Sequence, residues 1–322
     1  MIIKIISIIS PTVSLGHYKR SILLKRILNK KNKVELMLLK KKKLKDLKKI
    51  YDVKIKQRKF DYLVFDISNK LILNKKLIKF IELLIIRYKN KVVITDSLGK
   101  DAISPYLKNQ KFILHLPYIL SRKDVKNLKK KFKLNMLGLK YSLISDKVKT
   151  NSKSNNNSYI LISFGASDKY SKSYEVLKAI SNNSMSKILF VVGPFFKNEA
   201  IKKIKNFVKL NKNIKLVNFK KTLSFYFKSS KIIITNAGIS KYEGINTNKP
   251  VMVVYENKNI YKLNKNFIRE NLSYNFLYKK ENINRECSAF LEQKFNFTSH
   301  LKNREKISYR KNENFENFLK KL

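Results

Sequence analysis

Of the three histidines in the chain, His17 stands in the setting best suited to chemistry. It occupies the turn Gly16-His17-Tyr18-Lys19-Arg20, between the apolar run Ile2 to Ile9 and a segment with helical spacing. An imidazole titrates near ~6.5, so it can take a proton from an attacking nucleophile at neutral pH. The positive end of a helix favours the neutral, basic ring. His115 and His300 have no comparable context and read as structural or exposed. Two further turns are candidates for receiving an anion, Gly165-Ala166 and Gly238-Ile239-Ser240. Each joins an apolar strand to a helical segment, where free N–H groups and the helix dipole converge. The plain alternative is a set of ordinary βαβ units that bind nothing.

The elements that must position these residues are clearest from Lys231 to Tyr255. Ile232-Ile233-Ile234 reads as a strand covered on both faces. Asn236-Ala237-Gly238 breaks it, with Gly238 permitting a close or left-handed turn. Ser240 is expected to cap a helix over Lys241 to Asn246, with Glu243 completing a capping box. Pro250 then leads into a second buried strand, Val251 to Val254.

The same alternation runs through the rest of the chain. Strands are predicted over 2–9, 34–39, 62–65 (ending at Asp66), 91–95 (ending at Asp96) and 112–114, with helices over 16–28 and 77–88. The lysine-rich run Lys40 to Lys49 reads as a solvated helical face. Asp146 to Ser158 is polar and without periodicity, as a linker would be. Beyond it, strands are predicted over 159–164, 188–192 and 214–217, with helices over 173–180, 200–210, 223–227, 264–271 and 313–322. This pattern predicts an α/β protein of two Rossmann-like, doubly wound domains facing a central cleft. Their expected bounds are 1–145 and 159–290, with 146–158 as linker. Residues 291–322 form a helical segment whose amphipathic end, Phe315 to Leu322, suits docking on the first domain.

Lys and Arg total 72 against 22 Asp and Glu, a net charge of +50. Such a charge suits nucleic acid or an anionic membrane surface. Lysine far outnumbers arginine, however, whereas groove recognition favours arginine forks. The chain is also rich in Asn and Ile, with 7 Gly and no Trp, which matches the drift of an AT-rich genome. No specific nucleic-acid partner is expected, and any membrane association should be weak and electrostatic. A lone Cys287 rules out an intramolecular disulfide and fits a reducing compartment. Lys4 and Pro11 interrupt the apolar start, so it does not read as a signal peptide. No run of about 20 apolar residues is present, and a cytoplasmic location is expected.

Four segments in order resemble one family. They are Gly16-His17-Tyr18-Lys19-Arg20, Leu137-Gly138-Leu139-Lys140-Tyr141-Ser142-Leu143, Ile162-Ser163-Phe164-Gly165-Ala166-Ser167-Asp168, and Asn236-Ala237-Gly238 through Tyr242-Glu243 and Pro250 to Glu256-Asn257. Together they are similar to the UDP-sugar hydrolase of pseudaminic acid biosynthesis and its spore-coat polysaccharide relatives. The departures are Ser14 for a second glycine, Ile67-Ser68 for an aromatic after Asp66, Asp96-Ser97 for a pair of aspartates, and Lys258 after Asn257.

The resemblance implies the glycosyltransferase B architecture, with nucleotide on the second domain. It implies metal-independent, inverting hydrolysis of a UDP-linked 2,4-diacetamido-2,4,6-trideoxyhexose, with no cofactor. His17 is then the catalytic base. Gly16, Arg20, Gly165, Ala166, Asp168, Asn236, Gly238, Ile239, Ser240, Glu243 and Asn257 are substrate contacts. Glu243 would accept from the ribose hydroxyls or serve only as a cap; Asn257 would hold sugar or diphosphate, or cap its loop. A glycosyltransferase with a sugar or lipid acceptor is the alternative. A non-catalytic basic protein that binds nucleic acid or an anionic surface is a second.

Overall fold

In the computed structural model, residues 1–9, 16–40, 60–66, 75–97, 102–142, 159–168, 171–219, 223–292, 297–306 and 313–321 are described. Ser14, most of the lysine-rich run from Lys40 to Lys49, Ile67-Ser68, Leu143 and the expected linker 146–158 lie outside them. The chain divides into two compact units, Met1–Ile144 with Ser308–Leu322, and Ser145–Ile307.

The first unit is built from β1 (Ile2–Ile9), α1 (Gly16–Leu28), β2 (Lys33–Lys40), β3 (Tyr62–Asp66), α2 (Lys75–Arg87), β4 (Val92–Thr95), β5 (Ile113–Leu116), α3 (Arg122–Lys131) and β6 (Asn135–Leu137). Its six strands are parallel in the order β2-β1-β3-β4-β5-β6. Runs of Ile, Val and Leu make both sheet faces apolar, as a parallel sheet covered on both sides requires. Leu77, Phe80, Ile81 and Leu84 of α2 cover one face, and Leu24 and Leu28 of α1 the other. The order reverses between β1 and β3, because the chain leaves β1 in one direction for β2 and returns in the other. That reversal is the switch point of an open α/β sheet, where ligands bind beyond the strands' carboxyl ends.

The second unit repeats the plan with β7 (Tyr159–Ser163), α4 (Lys172–Asn182), β8 (Ile188–Val192), α5 (Asn198–Lys209), β9 (Ile214–Asn218), α6 (Ser224–Ser229), β10 (Ser230–Asn236), α7 (Ser240–Ile245), β11 (Val251–Tyr255), α8 (Lys258–Leu263), α9 (Lys265–Arg269), β12 (Tyr274–Leu277) and α10 (Ile283–Leu291). Its parallel order is β12-β11-β10-β7-β8-β9, so its switch point lies between β7 and β10.

Several elements differ from the sequence reading. The edge strands β6 and β12 are absent from it, being three and four residues long with too little periodicity to register. Helix α3 buries no residue completely and is announced only by the capping box of Ser121 and Asp124. The helix expected over 264–271 is the shorter α9, and α8, which was not expected, runs up to it and ends at Asn264.

Residues 291–322, read as one terminal segment, divide between the units. Helix α11 (Phe297–Lys306) belongs to the second. Its Arg304 donates to the carbonyls of Leu272, Thr247 and Lys249 at 2.7, 3.0 and 2.9 Å. Helix α12 (Glu313–Lys320) belongs to the first. There Phe315 meets the His115 ring edge-on at 5.1 Å, and Tyr62 Oη donates to the Leu319 carbonyl at 3.0 Å.

His115 and His300 are both buried. Burial pushes the pKa of His115 down to about 4. Burial, helped by Arg304, does the same to His300. Unfolding frees both rings to titrate at their ordinary value, so the unfolded chain binds more protons below that value. Stability is therefore expected to fall as pH drops from the ordinary imidazole range towards about 4. Urea midpoints measured between pH 7.5 and 4.5 test this, and a level profile would contradict it.

Candidate functional site

In the first unit the switch point is occupied by a knot of side chains around Asp66. This residue ends β3 and lies opposite Ser7 of β1. Asp66 is buried, with 2% of its surface exposed. Arg20 Nε donates to Oδ2 at 2.8 Å, and Arg20 Nη2 donates to Oδ1. His17 Nδ1 lies 2.6 Å from the same Oδ1, and Ser21 Oγ donates to Oδ2 at 3.3 Å. His17 and Arg20 are three apart on α1 and so share one face of it. Arg20 Nη1 reaches Tyr118 Oη at 3.3 Å.

Burial alone would raise the pKa of Asp66. Arg20 first and His17 second outweigh it, through charge and hydrogen bonds, and hold the carboxyl well below the usual carboxylate range. Asp66 is thus a fixed anion, and a ring nitrogen so close to it must carry its proton there. Nδ1–H donates to Asp66, and in the neutral ring Nε2 keeps its lone pair. The 3.2 Å contact of Arg20 Nη2 with Nδ1 brings together two donors converging on one oxygen.

The helix start was expected to favour the neutral, basic ring; the structure adds a carboxylate against Nδ1 that sets the tautomer. It corrects another expectation. Arg20 was expected to contact substrate; its guanidinium is instead buried and spent on Asp66 and Tyr118. Gly16 is the first residue of α1. Sequence reasoning noted Asp66 only as a strand end. An acidic residue closing a buried strand beside the switch point is the signal it contained.

In the second unit three strand ends are tied together. Asn236, closing β10, donates through Nδ2 to the Phe164 carbonyl at 3.0 Å and accepts from Gly238 N at 3.3 Å. Gly165 has φ +74°, a left-handed conformation that suits glycine. The next turn holds this one in place, since Phe195 N donates to the Ala166 carbonyl at 2.9 Å. A Cβ on Gly193 would lie 2.5 Å from the carbonyl oxygens of Gly165 and Ala166. At the last register step, Ser163 and Thr235 face each other across β7 and β10. Their buried hydroxyls have no hydrogen-bond partner among the described residues.

Of the remaining candidates, Gly238 and Asn257 take one of the two roles read for each, whereas Ser240 and Asp168 are placed differently. Gly238 lies outside the left-handed region, and its requirement is the close approach to Asn236 Oδ1, 3.2 Å from an added Cβ. The capping box of Ser240 and Glu243 does not form. Ile239 is already helical, so the first turn closes through Tyr242 N to the Ile239 carbonyl at 2.9 Å, leaving Ser240 buried inside α7. Glu243 is half-buried in that helix. Asp168, expected on substrate, accepts from Lys172 N and Ser173 N at 2.9 Å each and from Ser173 Oγ at 2.5 Å. It fills the amino end of α4 itself. Asn257 caps α8, accepting from Ile260 N at 3.0 Å.

Lys241 was not singled out in the sequence. It is buried in α7, donates to the carbonyl of Ala237 at 3.0 Å and to Asn264 Oδ1, and lies within 4.9 Å of the Phe267 ring centre. Burial pushes its pKa down to about 7. It sets a titratable cation against the turn that precedes α7.

No protein-family model matches the sequence, and no curated protein matches it. Solved structures do. HepE of Anabaena in complex with UDP superposes with a TM-score of 0.61 at 11% identity, covering 100% of both chains. MurG of Acinetobacter baumannii gives 0.60 at 10% identity over 100% of this chain and 99% of its own. UGT89C1 of Arabidopsis thaliana complexed with UDP gives 0.68 at 11% identity over 99% and 98%. The chain has the glycosyltransferase B fold. Within this fold, His17 and Asp66 stand at the switch point of one sheet. The turns at Gly165 and Gly238 stand at that of the other.

Proposed function

We propose that this chain transfers a sugar from a UDP-sugar donor to an acceptor hydroxyl, with inversion at the anomeric carbon. The observation that carries the reading is the 2.6 Å contact between His17 Nδ1 and Asp66 Oδ1. It leaves Nε2 as a base whose imidazolium form is stabilised by a fixed anion. As the acceptor oxygen attacks C1, Nε2 takes its proton, and the bond from C1 to the β-phosphate oxygen breaks. UDP leaves with the electron pair. Its developing charge is met by the backbone of the Gly165-Ala166 and Gly238-Ile239 turns and by the ammonium of Lys241, the kind of preorganised donor set that stabilises a leaving anion. The solved structures of similar fold that hold UDP support the choice of donor.

Hydrolysis is the same step with water as the nucleophile. The four segments resembling the UDP-sugar hydrolase of pseudaminic acid biosynthesis favour it, and with it a 2,4-diacetamido-2,4,6-trideoxyhexose as the sugar. A panel of UDP-sugars, with and without candidate acceptors, separates the two when UDP release and product are followed by NMR. Release that depends on an acceptor selects transfer, and release in water alone selects hydrolysis. If no UDP-sugar is consumed under either condition, both fail.

A further inference from the structure

The outer side of the first unit carries apolar side chains where water-facing ones are expected. Helix α2 reads KKLIKFIELLIIR, apolar nearly all round. Leu77, Phe80, Ile81, Leu84 and Ile85 are fully used in the core. Leu83 and Ile86, three apart on the opposite side, are 62% and 55% exposed. Tyr106 is 50% exposed. Its loop is fixed to the same helix, because Lys108 N donates to Glu82 Oε1 at 2.7 Å. Scattered exposed aliphatics are ordinary on a protein surface, but Leu83 and Ile86 lie one turn apart on one helix, and Tyr106 is two residues from the Lys108 amide that is tied to it.

The setting of this patch is cationic. Helices α2 and α3 lie on one face of the sheet, since Val125 and Leu128 of α3 pack against the core that α2 covers. Every exposed charged side chain described on these two helices is a Lys or Arg. Their acidic residues, Glu82 and Asp124, are half-buried and engaged with the Lys108 amide and with Ser121. Aliphatic and aromatic side chains ringed by lysines are the chemistry of a surface that lies on anionic lipid. A second copy of the chain fits less well, because a two-fold contact across this face would set cations against cations.

We propose that the outer face of α2 and α3 docks on an anionic lipid bilayer, with Leu83, Ile86 and Tyr106 entering the interface and the lysines of α3 meeting the headgroups. The test is sedimentation with vesicles of phosphatidylcholine alone or mixed with phosphatidylglycerol, using the full chain and a Leu83→Asn/Ile86→Asn variant of unchanged charge. The full chain should bind the mixed vesicles and not the neutral ones, and the variant should bind about tenfold less, given the free energy of burying aliphatic side chains. Circular dichroism and the melting temperature of the variant should match those of the parent. Equal binding by the variant means that net charge alone is responsible, which overturns the proposal. So would concentration-dependent self-association, measured without lipid, that the variant abolishes, because the patch would then cover a second copy. A control with the same surface change in the second unit, Met185→Asn/Leu210→Asn, should bind vesicles as the parent does; a comparable loss there also overturns it.

Discussion

An Asp66→Asn variant is expected to release UDP from its donor about 10²–10⁴-fold more slowly than the parent chain while still binding UDP. An amide in place of the carboxylate can point its NH2 group at Nδ1, which turns that nitrogen into an acceptor and moves the proton to Nε2. The ring is then protonated where it must be basic, and the imidazolium formed on proton transfer loses its counter-ion. His17→Ala should lose as much and leave UDP binding alone, because the proposed diphosphate contacts all belong to the second unit. Turnover within threefold of the parent in either variant would remove the base from the mechanism.

The same knot makes a stability prediction. Arg20→Met leaves a buried carboxylate without its main partner, a loss of about 3–5 kcal/mol in unfolding free energy. Asp66 has its pKa depressed in the folded chain, so its pairing contributes fully above the ordinary carboxylate value. The contribution is lost as pH falls through the lower folded value. The difference between parent and variant in urea unfolding should therefore be greatest at neutral pH and shrink in strong acid.

The second large effect is expected at Gly193, which touches no candidate catalytic group. A Cβ there meets the backbone oxygens of Gly165 and Ala166 at 2.5 Å. Neither carbonyl can retreat cheaply, since Ala166 O accepts from Phe195 N and the Gly165 turn is held by Asn236. Gly193→Ala should cost about 3 kcal/mol, the upper end of ordinary overpacking, and weaken UDP binding at least tenfold by displacing the turn. Gly165→Ala makes the comparison. Its added Cβ would meet nothing closer than 3.9 Å, so only the left-handed strain of about 1–2 kcal/mol applies. Calorimetric titration with UDP, beside urea unfolding, reads both. A Gly193→Ala chain that binds UDP as the parent does would show that the turn is not part of the nucleotide site.

The sheets were largely legible from sequence because buried parallel strands read as β-branched runs. Ile2 to Ile9, Ile188 to Val192 and Ile232 to Ile234 needed nothing else. Edge strands β6 and β12 gave no such run, and α3 lacked a buried stripe. At the site, His17 was found from its glycine turn, but its partner was not. Asp66 is 49 residues away and reaches the ring only through the pairing of β1 with β3. Local chemistry misled at Ser240, Asp168 and Arg20. Each has a side chain suited to the expected role, but packing assigned it elsewhere: inside a helix, at a helix end, and beneath the histidine.

The placement of Phe315 and Leu319 within the first unit bears on how the protein is made. The amino-terminal half leaves the ribosome first, yet the sheet face that α1 covers is completed only when Phe315 and Leu319 arrive. Maturation is therefore out of step with synthesis. The later half can close on its own, whereas the earlier half waits for Ser308–Leu322. A fragment ending at residue 144 should behave as an unfinished domain, and a peptide spanning Ser308–Leu322 should rescue it in trans.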